Sequence, residues 1–128
     1  MSDKFTIEII TPDKSILNLE TSEVTIPSYE GQMGILKDHI PLITFLRPGV
    51  IYIKNQEKKY FVEEGTVEFS NNKLLILTST ARDLNELDKN TIDKLLNQAK
   101  KKLSDESYSD KEKYLLAYKI NTLKEISR

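Results

Sequence analysis

The sequence predicts an α+β fold, with an N-terminal antiparallel β-sandwich of about ten short strands followed by a C-terminal antiparallel two-helix hairpin. Apolar and polar residues alternate with the period of a strand over residues 1–81, and turn residues interrupt them at short intervals. After Ala81 the apolar residues recur with the period of a helix instead. We therefore predict a β-sandwich domain at 1–83 and a helical hairpin domain at 84–128, with the boundary inside 82–88.

The composition limits the classes of protein to which the chain can belong. Its 128 residues can hold one ordinary domain, or one small domain plus an appendage, and a composition of 38% hydrophobic and 30% charged residues fits a soluble globular protein. A net charge of −1 gives no field that favours nucleic acid. Cysteine is absent, which excludes disulfides and thiolate metal sites. The first residues lack a leader pattern, and no apolar run approaches the ~20 residues that span a bilayer, so we expect a soluble chain that meets a membrane only indirectly.

Several segments carry the strand pattern and are separated by turn residues. The predicted strands lie at 5–10, 16–19, 24–26, 42–46, 50–54, 59–63, 66–70 and 74–77. Pro12 fixes φ in the first turn, and Asn71 and Asn72 tolerate the left-handed conformation of a hairpin turn. A further turn is predicted at 55–57. Residues 29–34 contain two glycines three positions apart and are predicted to form a loop in which these glycines adopt positive φ.

Two helices are predicted after the sandwich. The first has its apolar residues on one stripe, at positions 92, 95, 96, 99 and 103. Asp88 or Asn90 is suited to cap its start. Ser109 and Glu112 have the spacing of a capping box at the start of the second helix. The short connection between the helices predicts that they pack antiparallel.

The second helix has more apolar positions than a hairpin needs. Leu116, Ile120 and Leu123 form one stripe. Other apolar residues extend it around the helix, and these are Tyr114, Leu115, Tyr118 and Ile126. Because one stripe is enough to pack against the first helix, we expect this helix also to contact either the sandwich or a partner protein.

The sequence offers no group of residues that would support catalysis. His39 is the only histidine, and without cysteine no His/Cys metal set or Cys–His pair can form. The glycine segment at 31–34 lacks the lysine and following helix of a phosphate loop. Glu63 and Glu64 are neighbours on a predicted strand, so their side chains point to opposite faces. We expect no catalytic residue, no metal and no cofactor.

The segment 30–49 resembles the epsilon subunit family of F-type ATP synthase, whose mitochondrial member is called delta. The family pattern is E-G-x-x-G-I-x-x-x-H-x-P-L-x-T-x-L-x-P-G. The residues that match it are Glu30, Gly31, Gly34, Ile35, His39, Pro41, Leu42, Thr44, Leu46, Pro48 and Gly49. The resemblance extends to the opening strand, the region of Gly65, the strand before Ala81 and the helical tail.

This resemblance implies a non-catalytic rotor subunit of the central stalk. Such a subunit couples rotation of the c-ring, driven by proton transport, to ATP synthesis through the γ subunit. It implies that Glu30, Gly31 and Gln32 face the c-ring, and that His39 and Thr44 lie at the interface with γ or the ring. The implied location is peripheral, on the cytoplasmic side of a bacterial plasma (inner) membrane.

The resemblance also implies two positions for the tail. It can fold down on the sandwich, or extend along γ toward the catalytic α and β subunits and hinder ATP hydrolysis. The tail residues suited to these contacts are Tyr114, Leu115, Tyr118 and Ile126.

Some relatives bind ATP between the tail helices through a pattern like [IL]-D-x-x-R-A. Leu87 and Asp88 match its start, but Thr91 and Ile92 replace the arginine and alanine. This removes a guanidinium suited to phosphate, so we expect weak or no ATP binding and interpret Asp88 first as a helix cap. The alternative hypothesis to a rotor subunit is a stand-alone nucleotide sensor that binds ATP in its helical hairpin.

Overall fold

A computed structural model describes residues 3–54 and 57–127 and has the predicted α+β architecture. The strands are β1 (Phe5–Ile10), β2 (Ser15–Thr21), β3 (Glu23–Ser28), β4 (Gly31–Leu36), β5 (Leu42–Leu46), β6 (Gly49–Ile53), β7 (Lys58–Val62), β8 (Gly65–Ser70), β9 (Lys73–Leu77) and β10 (Arg82–Asp83). A single 3-10 turn at Leu84–Glu86 leads to helices α1 (Lys89–Leu103) and α2 (Asp110–Ile126). Asn55 and Gln56, where a turn is predicted, lie outside the described residues.

The strands form one continuous sheet that curls into two layers. One layer has the order β10-β7-β6-β3-β4, and the other has the order β5-β8-β9-β1-β2. β3 connects the layers, because Val24 and Thr25 pair with β6 whereas Ser28 pairs with β5. The strand pairs are antiparallel apart from β1 with β9, which run parallel. That pair can be parallel because most of the sandwich forms the connection between its two strands.

The inner faces of the two layers form the main core. Ile7 and Ile9 of β1 and Val67 of β8 are fully buried, as the alternating pattern predicts. Phe5 packs edge-on against Phe69, with ring centroids 5.6 Å apart. Burial of each such side chain contributes about 1.5–3 kcal/mol to folding. The predicted sandwich is therefore confirmed, because the apolar residues whose alternation predicted it are buried between its layers.

The segment predicted as a loop at 29–34 is mostly a strand. Gly31–Leu36 forms β4, which pairs with β3 after a tight turn. Gly31 has a φ of 116°, as predicted for a glycine at a turn. The prediction of positive φ is wrong for Gly34, which pairs with Thr25 inside the ladder. Hydrogen bonds to β3 overcome the low strand propensity of these glycines.

The two helices begin at the predicted caps and pack antiparallel. Asp88 Oδ1 accepts a hydrogen bond from a backbone N–H in the first turn of α1, at 2.7 Å. Ser109 and Glu112 form a reciprocal capping box, with both hydrogen bonds at 3.1 Å. Ile92 near the start of α1 and Leu123 near the end of α2 share one buried cluster, which fixes the antiparallel arrangement.

A second core joins the helices to the outer face of β7. Tyr60, Phe61 and Val62 are all buried, although consecutive residues of a strand point to opposite faces. Tyr60 and Val62 face the sandwich core, whereas Phe61 contacts the cluster of Ile92 and Leu123. The helical pair therefore covers the outer face of the layer that contains β6 and β7.

Candidate functional site

The outer face of the β5-β8-β9-β1 layer carries rows of apolar residues. Strand register puts Phe45 beside Thr66, Thr66 beside Leu77, and Leu77 beside Ile10, so these residues form one row across four strands. A neighbouring row contains Ile43 of β5 and Leu75 of β9, on either side of a glutamate in β8. We call the five apolar residues of these rows the open face, and they are Ile10, Ile43, Phe45, Leu75 and Leu77.

The open face exposes large apolar side chains to solvent. Ile43 is 75% exposed, Phe45 is 54% exposed and Leu77 is 44% exposed. Beside this face lies a groove of about 530 Å³, whose lining includes Tyr29, Phe45, Leu77 and Gly65. Large exposed apolar side chains grouped on one face in this way are characteristic of a site that binds another protein.

His39 and Thr44 do not present their own side chains on the open face. Thr44 is only 5% exposed, because it points to the core while its neighbours in β5 point outward. The His39 ring packs edge-on against Phe69, with centroids 5.8 Å apart, and its Nδ1 lies 2.8 Å from the carbonyl oxygen of Ile40. The surface at 39–44 is presented instead by Ile40 and Ile43, which are both 75% exposed.

Glu30, Gly31 and Gln32 lie together at the tip of the hairpin formed by β3 and β4. Ser28 braces this tip, since its hydroxyl donates to the Gly31 carbonyl oxygen at 2.7 Å and accepts from the Glu30 N–H at 3.2 Å. Glu30 and Gln32 are exposed. Because all of β4 separates this tip from His39, about 20 Å along the strand, the two candidate contacts lie at opposite ends of the sandwich.

Two of the predicted tail residues hold an arginine of the sandwich. The guanidinium carbon of Arg47 lies 4.0 Å from the ring centroid of Tyr118, and Arg47 Nη1 donates to Tyr114 Oη at 3.3 Å. The two tyrosine rings pack edge-on at 4.9 Å. Hydrogen bonding with Tyr118 and Arg47 lowers the pKa of Tyr114, whereas hydrogen bonding with Tyr114 raises the pKa of Tyr118. We call these three residues the tyrosine clasp.

Other residues of α2 also contact the sandwich or lie close to it. Lys119 Nζ is 2.6 Å from Glu63 Oε1, at the end of the layer that the helices cover. Ile126 packs on the second core with Phe61, and Leu115 is half-buried. Of the two alternatives predicted for the extra apolar residues of α2, this structure therefore has the contact with the sandwich.

Asp88, the one candidate nucleotide contact, is used as a helix cap. Its Oδ1 accepts from the Thr91 N–H at 2.7 Å, and this hydrogen bond lowers the pKa of the carboxyl group. The described residues contain no cluster of His, Cys, Asp or Glu able to hold a metal ion. Within the same residues, no helix is long and apolar enough to cross a bilayer.

Sequence reasoning missed three residues that organise these surfaces. Phe61 could have been found, because an unbroken apolar run at 60–62 in a strand signals burial on both faces. Arg47 and Asn72 carry no such signal, since their partners are distant in sequence. Arg47 bonds to a helix 67 positions later, and Asn72 bonds to a residue 34 positions earlier.

The fold is a β-sandwich with one apolar outer face uncovered and a helical pair docked on the other outer face. This arrangement defines a class of protein that works by binding partners. A model of the beta-sandwich domain of the ATP synthase delta/epsilon chain matches residues 4–83, and the chain belongs to this family. The ATP synthase epsilon chain of Pelagibacter ubique is 47% identical to it over 130 residues, which cover 99% of this chain and all 100% of the relative. The epsilon chain of Parvibaculum lavamentivorans is 30% identical over 129 residues, covering 98% and 97% of the two chains.

Solved structures share the fold at lower identity. A chain of the Euglena gracilis mitochondrial ATP synthase, determined with OSCP, F1 and the c-ring, aligns with a TM-score of 0.76 and 20% identity, covering 97% of this chain and 79% of that one. A chain from the Tetrahymena thermophila mitochondrial ATP synthase central stalk and c-ring aligns with a TM-score of 0.64 and 16% identity, covering 96% of each. Both likenesses extend over the sandwich and the helices together.

Proposed function

We propose that this chain is a non-catalytic rotor subunit in the central stalk of a bacterial F-type ATP synthase. It couples rotation of the c-ring, driven by proton transport, to ATP synthesis through the γ subunit. The observation that carries this proposal is the open face, where Ile43, Phe45 and Leu77 remain exposed together on the outer face of one layer. A lone protein gains no stability from such a patch, whereas a stalk subunit buries it against its neighbour.

The open face is the surface on which γ docks in this proposal. Its row of Phe45, Leu77 and Ile10 borders the groove of about 530 Å³, which can accept apolar side chains of a partner. Around these residues lie Glu8 and Lys73, paired at 3.4 Å, which supply a polar rim. Apolar anchors surrounded by a polar rim are the usual anatomy of a specific interface.

The tip at Glu30, Gly31 and Gln32 meets the c-ring in the same proposal. The tip lies next to one end of the open face, because the Tyr29 N–H donates to the Phe45 carbonyl oxygen at 3.1 Å, so one small domain can contact the two partners side by side. The ring supplies the only link to the bilayer, and the chain is peripheral on the cytoplasmic side of the plasma membrane.

The chain works as two domains, 1–83 and 84–128, with the docked tail as one of two positions. Support comes from the sandwich core, which contains no described residue beyond Ala81 and therefore stays intact when the tail leaves. When the tail leaves the sandwich, its apolar residues become available to the α and β subunits, where the tail hinders ATP hydrolysis. Those residues are Tyr114, Leu115, Tyr118 and Ile126.

The use of Asp88 as a cap argues against a stand-alone ATP sensor. Its carboxylate already accepts the Thr91 N–H, and the guanidinium of the relatives' pattern is replaced. A thermal-shift titration separates the hypotheses, since a ligand at 100 times its Kd would add about 2.7 kcal/mol of stability. The rotor proposal requires no stabilisation by ATP, and a clear saturable shift would support the sensor.

Substitution at the open face tests the proposal. Phe45→Ala removes an exposed apolar anchor, and we expect it to raise the Kd for purified γ about tenfold or more while unfolding in urea is little changed. Tyr52→Ala is the control, because Tyr52 is 39% exposed but lies on the other layer. Calorimetric titration of both variants gives the comparison. Equal affinities for the wild type and Phe45→Ala would exclude the open face as the γ site.

A further inference from the structure

The connection between β4 and β5 extends the apolar surface at one edge of the open face. It spans residues 37–41 and carries Ile40, which is 75% exposed. Leu36 before it is 56% exposed, and Ile43 after it is 75% exposed. Leu36 and Ile43 are fixed by strand pairing, so the position of this connection decides where Ile40 stands relative to a docked partner.

A side chain from a different hairpin holds this connection in place. The Asp38 N–H donates to Asn72 Oδ1 at 2.7 Å, and Asn72 Nδ2 donates back to Asp38 Oδ1 at 3.0 Å. Asn72 lies in the turn between β8 and β9, where it and Asn71 have φ values of 58° and 50°, as predicted for a hairpin turn. The edge-on contact of His39 with the β8 phenylalanine is a second tie between the same segments.

Asp38 is held by this pair of hydrogen bonds together with a local turn, in which the His39 N–H donates to the Leu36 carbonyl oxygen at 3.1 Å. Its φ of 66° is left-handed, which a residue other than glycine keeps only when its surroundings hold it. Both bonds are at good distance and are mutual, so the backbone and the side chain of Asp38 are fixed together. Loss of the Asn72 side chain would remove both hydrogen bonds to Asp38 and so loosen the backbone that precedes Ile40.

We infer that Asn72 is a positioning residue for the γ contact. It holds the connection 37–41 in place, so that Ile40 already stands at the edge of the open face before γ binds. This inference rests on the proposed function, in which γ docks on that face. A preformed contact avoids the entropy cost of ordering the chain during binding. Without the Asn72 side chain, that cost is transferred to the binding step and lowers the affinity.

Asn72→Asp tests the inference in the full chain. It keeps an acceptor oxygen but puts a second carboxylate where the amide donated to Asp38, so the two side chains repel. We expect the Kd for purified γ, measured by calorimetric titration, to rise about tenfold. Asn71→Asp is the matched control, because it makes the same charge change at the exposed neighbour in the same turn. We expect this control to stay within about twofold of the wild type.

The double exchange Asp38→Asn with Asn72→Asp provides the rescue. It reverses the polarity of the side-chain hydrogen bond and keeps the acceptor for the backbone N–H, so we expect most of the lost affinity to return. An unchanged Kd in Asn72→Asp, or a loss that the double exchange does not repair, would overturn the inference even if urea unfolding showed lower stability. If the wild-type chain itself fails to bind γ, the proposed function fails first, and that result is visible before any variant is compared.

Discussion

At the scale of single residues, backbone conformation decides which positions are fixed. Gly65 has a φ of 153°, a region essentially reserved for glycine. It starts β8 at the end of the groove beside the open face. A side chain there would meet the Leu77 carbonyl oxygen, with Cβ only 2.6 Å away. The close approach of these two strands therefore depends on the absence of a side chain.

Gly65→Ala is expected to lower the free energy of unfolding by about 2–3 kcal/mol, since it adds backbone strain and a clash with main-chain atoms. Gly34→Ala is the control, because the nearest atom to its added Cβ is a glutamate side-chain oxygen at 3.6 Å. Urea unfolding of both variants measures the difference. Equal stabilities of the two variants would contradict the role given to Gly65.

Asp88 gives the cap of α1 a dependence on pH. Its pKa is lowered in the folded chain by the hydrogen bond from Thr91, so the ionised form is favoured by folding. This contribution is present above the unfolded pKa of about 3.9 and is lost as the pH falls through the lower folded value. The asparagine of Asp88→Asn would cap the helix without titrating. We therefore expect the free energy of unfolding of Asp88→Asn to lie below that of the wild type at pH 7, and the two values to converge as the pH falls toward 3. Unfolding in urea across that pH range measures this difference, with Asp93→Asn as a control. A difference in free energy of unfolding that grows toward low pH would contradict the expected stabilisation by ionised Asp88.

Caps and turns at this scale could be predicted because their chemistry is local. The capping box at Ser109 and the asparagine turn between β8 and β9 each depend on residues within a few positions. The tie from Asn72 to Asp38 could not be predicted, because nothing in either segment specifies a partner 34 positions away. The inward direction of the Thr44 side chain could be predicted, because side chains alternate between the two faces along β5. The family pattern alone does not distinguish inward from outward side chains.

At the scale of elements, α2 is held on the sandwich by contacts of two kinds. The apolar contact centres on Phe61, which is fully buried beneath Ile92 and Leu123. The polar contacts are the tyrosine clasp on Arg47 and the ion pair of Lys119 with Glu63. The polar contacts lie nearer to solvent than the apolar one, so they can break while the second core stays closed.

Arg47→Ala is expected to loosen α2 without loosening the sheet. Loss of the cation–π contact and its hydrogen bond should raise the rate of amide hydrogen exchange in α2 about fivefold, which is the effect expected of one such contact at an exposed site. Arg47→Lys should give a partial effect, because lysine keeps the charge but lacks the planar fork. Arg82→Ala is the control at an exposed arginine in β10. If the exchange rates in α2 are the same in Arg47→Ala as in the wild type, the tyrosine clasp does not hold the helix.

The boundaries of elements followed the sequence where the hydrophobic period was clear. The strand β1 and both helices begin and end close to the predicted positions, because alternation or a stripe extends across each. The strand β4 was missed because its two glycines weaken the pattern, and pairing with β3 decides its conformation. The excess apolar residues of α2 correctly indicated a second contact, but they did not specify the face of β7 as its partner.

At the scale of the whole molecule, the two layers have different uses. The helices cover the outer face of the layer with β6 and β7, whereas the outer face of the other layer stays open. The hairpin tip at Glu30 extends from one end. In the proposed function this geometry places γ and the tail on opposite faces of the sandwich, so that the tail can change position without releasing γ.

Cross-linking in the assembled synthase shows whether the open face is the surface that γ contacts. The natural sequence has no cysteine, so a single cysteine at a chosen position gives an unambiguous reagent site. In the assembled synthase, Phe45→Cys carrying a short photoactivatable cross-linker is predicted to link to γ in high yield. Lys59→Cys, at an exposed position in β7 on the other layer of the sandwich, is predicted not to link. A link from Lys59→Cys with none from Phe45→Cys would show that γ docks elsewhere.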